Sequence, residues 1–216
     1  MHRKYIIIYM VKYEINYTQN MVNILNTINT AAKNMLSFDS HAAKQLSLEE
    51  KLLYLQGLAL VMNADQEIHE KEKEYLKVLI RSFEIDESVI DTLEEFSLNP
   101  DQDTIQCILK AFMKRDMSIT LLFDMFMIAN SDGDISDREI SVIKSLCLHF
   151  KLDINQFSKI NMFFCSMSIK PNFDDLLLLQ DIPIVNYLHL FEFFNIEKSE
   201  IIMMLVFKLN VIFHRT

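Results

Sequence analysis

NADQEIHEKEKEYLKVLIRSFEIDESVIDTL, residues 63–93, lies without a gap over NSDGDISDREISVIKSLCLHFKLDINQFSKI, residues 130–160, at a constant offset of 67. Asp65 falls on Asp132, Glu67 on Asp134, Ile68 on Ile135 and Glu72 on Glu139. Further along, Leu79 meets Leu146, Phe83 meets Phe150 and Asp86 meets Asp153. An acid pattern and an apolar rhythm that persist together over this length point to an internal repeat.

Each copy reads as the same local structure. An apolar segment, YLQGLALVM or LLFDMFMIA, predicts a helix over about 47–62 or 118–129 that runs into the acidic loop. A second helix follows with apolar residues at spacings of three and four: Tyr75, Leu76, Leu79, Ile80 and Phe83, then Ile140, Ile143, Leu146, Cys147 and Phe150. Asp86 and Asp153 stand where an N-cap belongs, before a short third helix. Helices are also expected over 19–36, 103–113, 172–180, 183–194 and 198–213. The expected architecture is all-α: a compact multi-helix bundle on a duplicated helix-loop-helix unit. It divides into an amino-terminal segment (1–46), a core with two repeats (47–165) and carboxy-terminal helices packed on that core (166–216).

Composition agrees with helices. Two glycines and three prolines in 216 residues supply little of the turn chemistry a many-stranded fold requires. The formal charge of −9 is uneven: residues 47–160 carry twenty-two acids against twelve Lys or Arg. Such a surface repels phosphate backbones and suits cations or basic partners, which sets nucleic acid aside. Cys107, Cys147 and Cys165 show no metal-ligand spacing and read as reduced core residues of a cytoplasmic protein. The start, MHRKYIIIYMVKYE, has an apolar run too short for a secretory leader, so any membrane contact there would be peripheral. IIMMLVFKLNVIF, residues 201–213, is too short to span a bilayer and reads as a buried terminal helix.

Two readings of the acidic loops stay open. Helix entry accounts for much of the second. Asp132-Gly133 is a turn pair, Ser136 and Glu139 form a capping box, and Ile135 and Ile140 occupy the positions of a hydrophobic staple. The first copy keeps its acids while His69 replaces Ser136 and Gln66 replaces Gly133. Carboxylates at Asp65, Glu67 and Glu72, or at Asp132, Asp134 and Glu139, have a spacing that can converge on one hard cation, calcium or magnesium, although neither loop fits an EF-hand.

An apolar helix ending in A-D-G-x-I, followed by x-x-x-E opening the next helix, resembles the tellurite-resistance TerB-like family. Residues 63–83 and 130–150 carry the resemblance. It implies an all-helical domain linked to tellurite resistance and related stress systems. It also implies paired acidic clusters for a divalent metal, here Asp65, Glu67 and Glu72 with Asp132, Asp134 and Glu139. Gln66 stands where the family usually has glycine.

No phosphate loop, nucleophile elbow or H-E-x-x-H accompanies the acids, so no enzyme is expected. The six histidines form no spaced set: His69 and His149 read as helix-surface residues, and EKEKE (70–74) reads as a solvated helix face. The apolar excess of residues 173–194 suggests an interface. The expected function is a non-enzymatic module acting through a protein partner, with cation binding at the acidic loops. The alternative is a structural adaptor or regulator whose acidic loops only cap helices.

Overall fold

The computed structural model describes residues 24–28, 30–32, 35–167, 170–196, 199–203 and 206. Two compact units separate at residues 1–36 and 37–216. In the first, residues 24–28 and 30–32 are helical, within the helix expected over 19–36. The start of the chain, MHRKYIIIYMVKYE, lies outside the described residues.

Among the described residues of the second unit every regular element is helical. A 3-10 turn, Ala42–Gln45, precedes α1 (Leu48–Met62), α2 (Glu70–Ser82), α3 (Val89–Leu98), α4 (Gln102–Phe112), α5 (Met117–Ala129), α6 (Asp137–Phe150) and α7 (Ile154–Ser166). After these come α8 (Phe173–Leu177), a second 3-10 turn (Ile184–Asn186) and α9 (Leu188–Phe193). Residues 37–46 and the stretch after α7 thus belong to the same unit as 47–165.

The centre of the core is α5, MSITLLFDMFMIA, in which every residue from Ser118 to Ala129 is buried. A helix apolar all round is stable only when other helices enclose it. α1, α2, α6, α7 and both 3-10 turns pack on α5. α1 also packs on α3 and α4, and a Cβ at Gly57 would touch Ile108 of α4 at 3.5 Å and Leu121 of α5 at 3.8 Å.

The two helix pairs enter and leave their turns alike. Glu84 and Lys151, 67 residues apart, are both left-handed (φ 59° and 62°). The N–H of Ile85 donates to Ile80, and that of Leu152 to Cys147, each closing a Schellman turn. Asp153 is the N-cap of α7, as expected, and accepts from the N–H of Asn155. Asp86 makes the equivalent bond to Ser88, but α3 starts later, with Ser88 as its N-cap.

Several expectations are corrected. Cys147 is buried, whereas Cys107 and Cys165 are exposed, because both stand on the outer faces of helices whose inner faces carry the aromatic and branched residues. The apolar excess of 173–194 is largely internal: Leu179, Ile182, Tyr187, Leu190 and Phe191 are buried in the common core. The chain breaks into short pieces there, and a short piece can bury more than one face. Residues 199–203 are helical, but Ile202 and Met203 are 60% and 67% exposed, so this part of the expected terminal helix is not buried. No helix among the described residues is long and apolar enough to cross a membrane.

Candidate functional sites

The two acidic loops meet. One pocket of about 120 Å³ is lined by Asp65, His69 and Glu72 from the first loop and by Ser131, Asp132, Asp134, Ser136 and Glu139 from the second, with Ala129 at its base. Five of the six carboxylates expected from the sequence therefore converge. Glu67 does not: it is exposed and contributes its backbone rather than its side chain.

Local backbone chemistry fixes four of these acids. The N–H of Glu67 donates to Asp65 Oδ1 at 3.0 Å, and the N–H of Asp134 to Asp132 Oδ1 at 3.0 Å, the same Asx turn twice. Between the two residues of each turn the chain goes left-handed, at Gln66 (φ 75°) and Gly133 (φ 98°). Glu72 Oε2 accepts from the N–H of His69 at 2.7 Å, and Glu139 Oε2 from that of Ser136 at 2.8 Å. The Ser136 hydroxyl in turn accepts the N–H of Glu139. Glu72 caps α2 without needing a serine at position 69, so the first loop, with His69 there, keeps its carboxylate cap. Arg138 ties the loops together by donating to the backbone carbonyl of Asp65 at 3.3 Å.

These bonds turn Glu72 and Glu139 inward, where they are 3% and 5% exposed. EKEKE is therefore not a uniformly solvated face, because its third residue points back over the first helical turn. Burial pushes the Glu72 carboxyl up to about 8, with Glu139, Asp65 and Asp132 adding to the effect against the His69 N–H. The Glu139 carboxyl rises for the same reasons: burial first, then Asp65 and Asp132. Carboxylates crowded so closely resist sharing the negative charge. His69, expected as a helix-surface residue, lines the pocket. Its Nε2 lies 3.9 Å from Asp132 Oδ2, across the gap between the loops.

The donor set suits a divalent cation in its chemistry and not in its spacing, for no three of these acidic or histidine side chains bring ligand atoms within 4.8 Å of one another. It is mostly carboxylate oxygen, the ligand class hard cations take. Ser131 Oγ, which lines the same pocket, is buried without a hydrogen-bond partner. The backbone bonds use Oδ1 of the two aspartates and Oε2 of the two glutamates, and leave the second oxygen of each carboxylate outside these bonds.

A second cluster lies deeper. Asp124, midway along α5 and 0% exposed, is surrounded by four donors. His41 Nε2 (2.9 Å) and the Tyr54 hydroxyl (2.5 Å) meet Oδ2. His189 Nε2 (2.7 Å) and the Tyr75 hydroxyl (2.7 Å) meet Oδ1. Burial alone would raise the Asp124 carboxyl, but the two imidazoles and their hydrogen bonds outweigh it and hold the group well below the ordinary range. Burial, and then Asp124, pushes both tyrosines far up.

The ligand atoms of His41, Asp124 and His189 lie within 4.8 Å of one another, close enough to hold a metal ion. The hydrogen bonds of His41 assign it differently, while His189 Nδ1 is buried without a partner. The backbone N–H of Ala43 donates to His41 Nδ1 at 3.0 Å, so that nitrogen is bare and the proton sits on Nε2, facing Asp124. A metal-ligating imidazole shows the reverse, with its far nitrogen donating. The N–O separations of 2.7 and 2.9 Å are also hydrogen-bond lengths, shorter than the roughly 3.3 Å between neighbouring ligands in a tetrahedral shell with bonds near 2.0 Å. The cluster is a buried carboxylate satisfied by donors.

Residues 55–162, half of the chain, match the model of the family described as tellurite resistance protein TerB. No curated protein and no solved structure matches the chain.

Proposed function

We infer, because the chain belongs to the TerB family, that its two acidic loops together take up one divalent cation and that the module acts, without catalysis, by contact with a protein partner. The observation that carries this reading is the convergence of Asp65, Glu72, Asp132, Asp134 and Glu139 on one pocket. The two loops together bring five carboxylates to one pocket, the oxygen-rich donor chemistry that hard cations take. Calcium and magnesium suit the oxygens, and the family's description as tellurite resistance protein TerB supports a role in a tellurite-resistance type of stress response. A cytoplasmic location accords with a free, buried Cys147 and two free exposed thiols.

Thermal melting of metal-stripped protein tests this. A cation that binds only the native state raises stability by about 2.7 kcal/mol at a hundredfold excess over Kd. Millimolar calcium, magnesium, manganese or zinc should therefore raise the melting temperature, and Asp132→Asn with Asp134→Asn should remove the rise. No shift with any of the four sinks the cation reading.

A second reading has its own support. Asp65, Asp132, Glu72 and Glu139 each already accept a backbone N–H, so an adaptor whose acids only shape helix entries is consistent with the same geometry. It requires that the four cations leave the melting temperature unchanged.

A further inference from the structure

The buried Asp124 cluster joins parts of the chain that the family match does not reach. Asp124 and Tyr75 lie within residues 55–162, whereas His41, Tyr54 and His189 lie outside them. Residues 38–46 cross the core as a strap. Phe38 is 0% exposed, and its N–H donates to Ser82 Oγ at 2.7 Å. The N–H groups of Asp39 and Ser40 donate to the Glu192 carboxylate at 2.7 and 3.0 Å, and Lys44 Nζ donates back to the Phe38 carbonyl at 3.1 Å. The central hold is His41, which points Nε2 at Asp124 and uses Nδ1 to cap the 3-10 turn at Ala43. Its ring packs edge-on against Tyr54 and Phe83 and lies 4.2 Å from His189, centroid to centroid.

Both nitrogens of His41 are thus committed in opposite senses, one donating and one accepting. A second proton has only Nδ1 to occupy, and there it would meet the N–H of Ala43 rather than an acceptor. We propose that residues 38–46 form a proton-released strap: protonating His41 at Nδ1 converts the cap of the 42–45 turn into a clash of donors, and the strap leaves Asp124 and uncovers the faces of α1, α2 and α9 beneath it.

The charged and titratable groups around His41 are Asp124 from α5, His189 and Glu192 from α9, Tyr54 from α1 and Tyr75 from α2. Burial, followed by His189, holds the imidazole below its ordinary value of 6.5, against the pull of Asp124 and Glu192. The closed strap therefore binds this proton less tightly than the released strap does. It is shut at neutral pH, and release grows as pH falls below 6.5.

Hydrogen exchange of the full chain, expressed as protection factors at pH 7.5 and 5.0, tests the strap. Peptides covering 38–46 should lose at least tenfold protection at pH 5.0, while those from α5 change less than twofold. His41→Asn keeps an acceptor for the Ala43 N–H but carries no titratable nitrogen, so its strap should show no such loss. Equal protection of the wild-type strap at both pH values, equal loss in α5, or persistence of the loss in His41→Asn overturns the proposal. Should that variant not fold, nitrogen NMR of the wild-type ring decides. The His41 Nε2–H tautomer must be present at pH 7.5, and its titration must coincide with loss of Ala43 amide protection. An imidazole that titrates while that amide stays protected overturns the proposal equally.

Discussion

His41 and His189 approach opposite oxygens of one buried carboxylate, each through Nε2. They come from the two flanks of the matched domain, so Asp124 is where both flanks are anchored. Asp124→Asn replaces an acceptor of four hydrogen bonds by a group that must donate to some of the same partners. Removing one side of a buried charged network typically costs about 3–5 kcal/mol. Urea unfolding should show a loss in that range, and a change under 1 kcal/mol would mean the four donors are not paid for by this charge.

The left-handed residue in each acidic turn gives a matched pair of variants. Gln66 holds φ 75° with a side chain, whereas Gly133 holds φ 98° without one. The left-handed region costs a residue with a Cβ roughly 1–2 kcal/mol, which glycine escapes at the expense of some unfolded-state entropy. Gln66→Gly should therefore stabilise by up to ~1 kcal/mol and Gly133→Ala should destabilise by about as much. Opposite signs by differential scanning calorimetry bear out the geometry, and the same sign for both contradicts it.

Gly57 behaves differently, because its backbone is that of an ordinary helix and a Cβ there would meet only van der Waals neighbours at 3.5 Å or beyond. Alanine is the better helix former by about 1 kcal/mol. Gly57→Ala should raise stability by 0.5–1 kcal/mol on that scale, with destabilisation showing that α1 and α4 pack more closely than described.

For metal-free protein, Glu72 sets a pH dependence. Its folded value, about 8, lies above the ordinary 4.5. The folded state therefore binds this proton more tightly than the unfolded chain does. The resulting stabilisation is fully present below 4.5 and lost as pH rises through about 8. Urea midpoints measured between pH 5 and 8.5 should fall with rising pH, and Glu72→Gln should flatten that slope. A slope unchanged in the variant assigns the effect elsewhere.

Much of the fold was legible because periodicity is a local property. The stripes Tyr75–Phe83 and Ile140–Phe150, the Ser136–Glu139 box and the left-handed turn at Gly133 all follow from neighbours within a few positions. The candidate pocket was half legible. Five of its acids could be named, but only the packing of α2 and α6 against α5 shows that two loops make one pocket, that His69 lines it and that Glu67 does not. The deeper cluster left a single trace, Asp124 as the one charged residue in MSITLLFDMFMIA. A buried carboxylate requires donors from somewhere, but nothing local indicates that they are His41 and His189, each far away along the chain.

The contrast among the three cysteines gives the molecule its own reporter. Cys107 and Cys165 are open to solvent, whereas Cys147 is buried on α6, about two turns beyond Glu139 at the helix start, and burial, then Asp153, pushes its thiol up to about 11. A thiol reagent at neutral pH therefore counts two sites at once and a third only when α6 lifts from the core. The rate of that third modification times the opening of the helix that closes the acidic pocket, with no substitution made in the native chain.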